Sequence, residues 1–265
     1  KIIDGAVVAG IAPAVAWMPE PVVITNYDEL LKTCGTKYTA CPNILGVSTA
    51  IRKRKLTKVA FVGTPCQIQA VRKVQFDQTY DVEIDKIKFL IGLFCMESFT
   101  YKGLIGEFAE EKLSLAPEII RKIDIKKGKL QIHTKGEKTI STPLEQLLNY
   151  VRESCHFCLD FTSELADVSV GAVGSKLGYS TVLTRTEIGE KIFNEAVEAG
   201  FIETKNAENE KPNLDLVRRL TEKKQKENLQ KILEKSELTK LSYLSVPKDR
   251  LQNYFSSEIR YALEK

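Results

Sequence analysis

Residues 58–95 constrain this chain more than any other stretch. Within Lys58–Gly63, the run Val59-Ala60-Phe61-Val62 is uninterruptedly apolar, as a strand covered on both faces requires, and Lys86–Phe94 reads as another strand. Between them Thr64-Pro65-Cys66 turns into a helix over Gln67–Val74. Strand, helix, strand in that order favours a largely parallel sheet. The fold class expected is therefore α/β, with a mixed, largely parallel sheet flanked by helices.

Other elements extend that frame. Residues 5–26 read as two short strands around a turn containing Pro13 and Pro19, followed by helices over Tyr27–Thr33 and Asn43–Leu56. A helix is predicted over Tyr101–Leu113. Ile123–Ile125 and Leu130–Thr134 make a hairpin, with Gly128 in its turn. Tyr179–Thr184 reads as a strand, and Glu187–Ala199 as an amphipathic helix stopped by Gly200. From Asn206 onward Lys and Glu dominate, while Leu214, Val217, Leu220, Leu229, Ile232 and Leu233 recur at helical spacing. That pattern predicts a long charged helix over 212–236, turned to solvent or to a partner subunit, and a docking tail over 237–265. The organisation expected is a module spanning residues 1–205 and a charged helical C-terminal extension, 206–265.

With 265 residues and 43% hydrophobic content, the chain can bury one large core or two small ones. No run approaches the roughly 20 apolar residues needed to cross a bilayer. Its 39 basic and 35 acidic residues give a net charge of +4, too mild for the concentrated basic face of a nucleic-acid binder. The opening Lys1-Ile2-Ile3-Asp4-Gly5 has no initiator Met and runs at once into a strand, so the natural N-terminus is expected upstream. A cytoplasmic protein is expected, at most peripheral to a membrane complex.

The chemistry rests on six cysteines. Cys155 and Cys158 form C-x-x-C, a spacing that lets one segment offer two thiolates to a metal or cluster. Zinc and redox dithiols use the same spacing. Cys66 and Cys95 each follow the end of an apolar strand. If those strands are parallel, both thiols emerge at the carboxyl edge of the sheet, where α/β folds place their ligands. Together the two and the C-x-x-C make a four-thiolate set. Cys66 also heads a helix, whose free N–H groups favour a thiolate. The plainer alternatives are inert buried cysteines and a structural zinc site, with His156 a spacer and His133 a surface residue.

Several segments taken in order resemble one family. They are Gly35-Thr36-Lys37-Tyr38, Val59–Gln67 with Val71-Arg72-Lys73, Gly92–Glu97, and Cys155-x-x-Cys158 with Glu164–Ser169, Gly171, Gly174-Ser175 and Ser180-Thr181-Val182. The chain resembles the beta subunit of coenzyme F420-reducing hydrogenase over residues 5–205. The same module is shared by formate dehydrogenase beta subunits and by F420H2 dehydrogenase input subunits.

This resemblance implies an FAD, one [4Fe–4S] cluster and a docking site for coenzyme F420, an 8-hydroxy-5-deazaflavin. By motif, the cluster ligands would be Cys66, Cys95, Cys155 and Cys158, with Cys34 and Cys41 left as non-ligands. Flavin contact is expected at Gly35, Thr36, Lys37 and Tyr38, with Lys37 facing a phosphate or reduced flavin and Tyr38 packing on a ring. Gly63, Thr64, Gly171, Gly174, Ser175 and Ser180 join the cofactor set, and a further glycine-rich flavin contact is expected upstream of Lys1. Arg72, Lys73 and Arg185 are candidates for the acidic tail of the deazaflavin, against the commoner reading as solvated charges. The activity implied is hydride exchange between coenzyme F420 and FAD, with single electrons passing through the cluster to or from a partner subunit, as in methanogenesis. Two rivals remain: a non-enzymatic, zinc-stabilised binding subunit, and a same-family flavin reductase acting on another acceptor.

Overall fold

The computed structural model describes residues 2–76, 83–209 and 211–239. Its larger sheet has six strands: β1 (Gly5–Ile11), β2 (Pro19–Ile24), β3 (Val59–Gly63), β4 (Ile87–Leu93), β8 (Val168–Gly171) and β9 (Thr181–Thr184). They lie in the order β2-β1-β3-β4-β8-β9. The pairs β1–β3, β3–β4 and β4–β8 are parallel, and the outer pairs β1–β2 and β8–β9 are antiparallel. The expected mixed, largely parallel α/β sheet is thus present.

Side-chain alternation in β3 explains why this sheet needs helices on both faces. Val59 and Phe61 point into a core with Val47, Ala50, Ile51, Ile68 and Val71, supplied by α2 (Asn43–Ser48), the turns after it, and α3 (Pro65–Phe76). Ala60 and Val62 point the other way, into a cluster that includes Ile192 of α4 (Glu187–Glu198). Before α2, the chain forms the short α1 (Tyr27–Lys32), whose Asn26 side chain caps Glu29 N–H at 2.9 Å.

Two predicted helices differ in their winding. α2 passes into wider turns at Thr49–Lys53, and Lys102–Lys112 is wound the same way, with Arg54 N–H reaching Thr49 O and Leu113 N–H reaching Phe108 O. The predicted hairpin is β5 (Ile120–Lys126) and β6 (Lys129–Thr134), extended by a third antiparallel strand, β7 (Thr139–Pro143). This small sheet packs with the Lys102–Lys112 helix around Phe99, Leu104, Phe108, Leu130 and Leu147, a core separate from that of the larger sheet.

The long charged helix is α5 (Asn213–Thr239). Although expected to turn to solvent or to a partner subunit, it buries one face within the chain: Val217, Lys224, Asn228 and Leu229 are covered because α5 lies against the segments that carry the cysteines. The expected tail beyond residue 239 lies outside the described residues. No helix among the described residues is long and apolar enough to cross a membrane.

Candidate metal centre

Parallel pairing of β3 with β4 brings Cys66 and Cys95 to the same edge. Pro65 occupies the first position of α3, and Thr64 N–H donates to Gln67 Oε1 at 3.1 Å, half of a capping box that fixes the turn after β3. Cys66 therefore sits in the first turn of a 12-residue helix, exposed, with its sulfur 3.4 Å from Thr64 Oγ1. Cys95 follows β4 by two residues, and its N–H donates to Phe161 O at 2.9 Å.

Short backbone pairings deliver the C-x-x-C. Arg152 N–H donates to Ser98 O and Thr100 N–H to Tyr150 O, both at 2.9 Å, so the strand-like stretch around Val151 lies antiparallel to Phe99. The turn Glu153–Phe157 then presents Cys155 beside Ser98, whose N–H donates to the sulfur at 3.4 Å. Cys158 Sγ donates to Asp160 O at 3.4 Å.

The electrostatics of the thiols show them to be neighbours. Burial pushes the Cys95 thiol up to about 12; Lys224 opposes that shift, while Cys155, Cys158 and Cys66 reinforce it. Burial likewise pushes Cys155 and Cys158 up, and each also responds to Cys66 and to Lys224. Four thiols from three distant segments thus share one field, with one ammonium among them. Among the described residues, no three His, Cys, Asp or Glu side chains close tightly on a single metal ion. The raised Cys95, Cys155 and Cys158 thiols hold their protons at neutral pH, so binding a metal there would release them.

Sequence reasoning missed Lys224 and Asn228. Lys224 Nζ donates to Cys95 O at 2.6 Å and to Asp160 O at 2.8 Å. Asn228 Nδ2 donates to Cys155 O at 2.9 Å and to Cys158 O at 2.8 Å. A signal existed. Residue 224 stands on the helical stripe through Val217 and Leu220, in the gap before Leu229.

The Gly35–Tyr38 loop borders the same edge. Phe99 N–H donates to Tyr38 O at 2.9 Å, and Gln67 Nε2 donates to Cys41 O. Gly35 has a φ of +96° and open space where a Cβ would stand, so its backbone is accessible. Lys37 donates to Thr33 O, and burial lowers its pKa against the pull of Cys34 and Cys41. The Tyr38 ring packs on the second core, and its hydroxyl accepts from Ile125 N–H at 3.0 Å. Within the rest of the predicted cofactor set, Gly63 lies against Phe61 and Gln67, Gly171 against the Phe94 ring, and Gly174 against Val217 of α5. Those three glycines have a packing reason of their own. Thr64 is half-buried and Ser180 exposed, and Ser175 Oγ accepts from Thr181 Oγ1 at 3.2 Å.

Arg72 and Arg185 are half-buried. Arg72 pairs with the buried Asp167 at 2.7 Å, and Asp167 also accepts from Leu90 N–H and Thr186 Oγ1, joining α3, β4 and the start of α4. Arg185 donates to Ser169 Oγ and Thr162 Oγ1, each at 2.8 Å. Both guanidiniums are thus engaged within the fold, whereas Lys73 is exposed.

Residues 1–47 match the family described as Coenzyme F420 hydrogenase/dehydrogenase, beta subunit N-term, and residues 56–210 match its C-terminus counterpart. This chain belongs to the family of coenzyme F420 hydrogenase/dehydrogenase beta subunits. It is 43% identical to Coenzyme F420 hydrogenase subunit beta of Methanothermobacter thermautotrophicus, over 89% of this chain and 84% of that one. Against a subunit of the F(420)H(2) dehydrogenase of Methanosarcina mazei the identity is 38%, over 85% of this chain and 62% of that one. Among solved structures, the F420-reducing [NiFe] hydrogenase complex from Methanosarcina barkeri contains a chain of the same fold. The TM-score is 0.84 at 40% identity, covering 89% of this chain and 81% of that chain. In this chain a parallel-sheet edge, a C-x-x-C turn and α5 come together around Cys66, Cys95, Cys155 and Cys158.

Proposed function

We propose that this chain is the subunit through which coenzyme F420 exchanges electrons with a partner redox subunit, and that it holds one FAD and one [4Fe–4S] cluster. The observation that carries this reading is that cysteines from three distant segments meet at the carboxyl edge of the sheet, with the Cys95, Cys155 and Cys158 backbones joined by Lys224 and Asn228 of α5. Relatives named as subunits of F420-linked hydrogenase and dehydrogenase supply the coenzyme and the kind of partner.

The donor chemistry suits the cluster. Four cysteine thiols are, like those of a structural zinc site, the full donor set of a [4Fe–4S] cluster. Cys66, Cys95, Cys155 and Cys158 would be its ligands. Ser98 N–H and the first turn of α3 provide hydrogen-bond and dipole stabilisation for sulfur-borne negative charge. When bound, the flavin would supply exchange between the two-electron chemistry of a deazaflavin and the one-electron chemistry of a cluster.

For the flavin, the accessible Gly35 backbone, Thr36 and Lys37 border the same edge, with Gly63, Thr64 and the 171–180 loop at the ends of β3 and β8. Tyr38 would act by holding that loop rather than by stacking, since its ring and hydroxyl are engaged within the protein. Gly171 and Gly174 would contribute backbone groups only.

The test is anaerobic iron, sulfide and flavin analysis of the purified protein, followed by titration with reduced coenzyme F420. The expected result is about four irons and one FAD per chain, with the flavin bleaching on addition. Zinc without iron or flavin would overturn the reading. Bleaching by NADH but not by reduced coenzyme would point to a different electron donor.

A further inference from the structure

Helix α5 turns toward the cysteine segments a face that is costly to bury. Lys224 is 3% exposed and Asn228 7%, four residues apart and therefore on one side of the helix, in line with the buried Val217. Their side-chain nitrogens make four hydrogen bonds to backbone carbonyls, and three of those carbonyls belong to Cys95, Cys155 and Cys158. Taking an ammonium out of water costs several kcal/mol, and neutral carbonyls satisfy its protons without cancelling its charge. A methionine or leucine would fill the same space without that cost. The charge therefore has a use only if something negative stands nearby.

Glu97 is one candidate, since its half-buried carboxyl responds to Lys231, Lys224 and Lys223 of α5. Lys224 differs from the other two in being buried and in touching the backbone of the cysteine segments directly. It also acts electrostatically on Cys95, Cys155 and Cys158, whereas Asn228 carries no charge to do so.

We infer that Lys224 is a positioning residue that tunes the redox potential of the group held by the four cysteines, and that Asn228 sets the geometry of the C-x-x-C turn. This rests on the reading that the site holds an iron–sulfur cluster. Reduction adds one electron to a group already surrounded by thiolates, and a fixed cation beside it favours the more negative, reduced state. No proton or bond changes at Lys224. Net charge and hydrogen bonding around the sulfurs are among the factors that set cluster potentials.

The experiment is an anaerobic redox titration of the reconstituted full chain, poised with dithionite and followed by electron paramagnetic resonance, with iron counted in parallel. Lys224→Met moves the midpoint to a more negative potential, and Lys224→Gln, which keeps a hydrogen-bond donor without the charge, moves it the same way. Asn228→Ala lowers the iron retained per chain and leaves the midpoint of the retained fraction close to that of the unchanged protein. If Lys224→Met does not take up iron, Lys224→Gln carries the decision. A Lys224 variant with full iron and an unshifted midpoint overturns the inference while leaving the cluster in place. If the unchanged chain takes up no reducible cluster, the underlying reading fails, and the inference with it.

Discussion

Two lysines stand among cysteines in this protein, and they arrive there by different routes. Lys37 belongs to the same loop as Cys34 and Cys41, and its ammonium is held by Thr33 O, four residues back. Lys224 reaches the Cys95 carbonyl from 129 residues away in sequence. The first arrangement is secured by a few residues of one loop. The second exists only when β4, the 153–158 turn and α5 are all in place, so it is coupled to the fold as a whole. A lysine beside cysteines is therefore not one kind of site, and the range of its contacts decides what disturbing it does.

The comparison breaks most sharply on the cysteines themselves. Replacing Cys95, Cys155, Cys158 or Cys66 with serine is expected to abolish or severely reduce bound iron, whereas Cys34→Ser and Cys41→Ser retain it; iron and sulfide analysis after reconstitution separates the two sets. Iron lost from Cys34→Ser or Cys41→Ser would make the two sites one.

A smaller effect is expected at the local lysine. Lys37→Met removes one hydrogen bond within a loop and lowers stability by about 1 kcal/mol or less, measured by chemical denaturation, with bound iron unchanged. A large loss of stability would show that the loop is wired into the fold as firmly as α5.

The smallest effect is one of reactivity. Burial pushes the Cys41 thiol up to about 11, and that thiol donates to Asn43 Oδ1 at 2.9 Å, whereas Cys34 is exposed. At pH 8, iodoacetamide should modify Cys34 well before Cys41, with the gap narrowing toward pH 11, as read by mass spectrometry. Because the folded Cys41 holds its proton more tightly than an unfolded cysteine, its contribution to stability is complete below about pH 9 and is lost as pH rises toward 11. Equal modification at pH 8 would contradict the burial that distinguishes them.

Much of the sheet was legible because its information is local. The apolar runs of β3 and β4 and the cysteines just beyond them lie within a few residues of one another, and parallel pairing followed from the helix between. β7 was not legible, because Thr139–Pro143 buries a single residue, Thr142, and shows no apolar pattern. Arg72 and Arg185 read as surface charges because the Asp167 carboxylate lies 95 residues from the first and the Ser169 and Thr162 hydroxyls lie 16 and 23 residues from the second, and sequence carries no sign of such partners. The polarity of Asn228 and Lys224 masked them, leaving position on the stripe as the one sign at residue 224. In a helix rich in lysine and glutamate, a lysine on the buried stripe looks like its exposed neighbours until its acceptors are known. Gly171 and Gly174 illustrate the reverse problem, since close packing against Phe94 and Val217 selects glycine as effectively as a ligand would.

The position of α5 after all four cysteines in sequence also sets an order of events. All four cysteines leave the ribosome before residue 224 does, so for a time during synthesis the thiols exist without the helix that later lies across their backbones. A bulky inorganic group delivered in that interval meets an open edge, whereas one delivered afterwards meets carbonyls already engaged by Lys224 and Asn228.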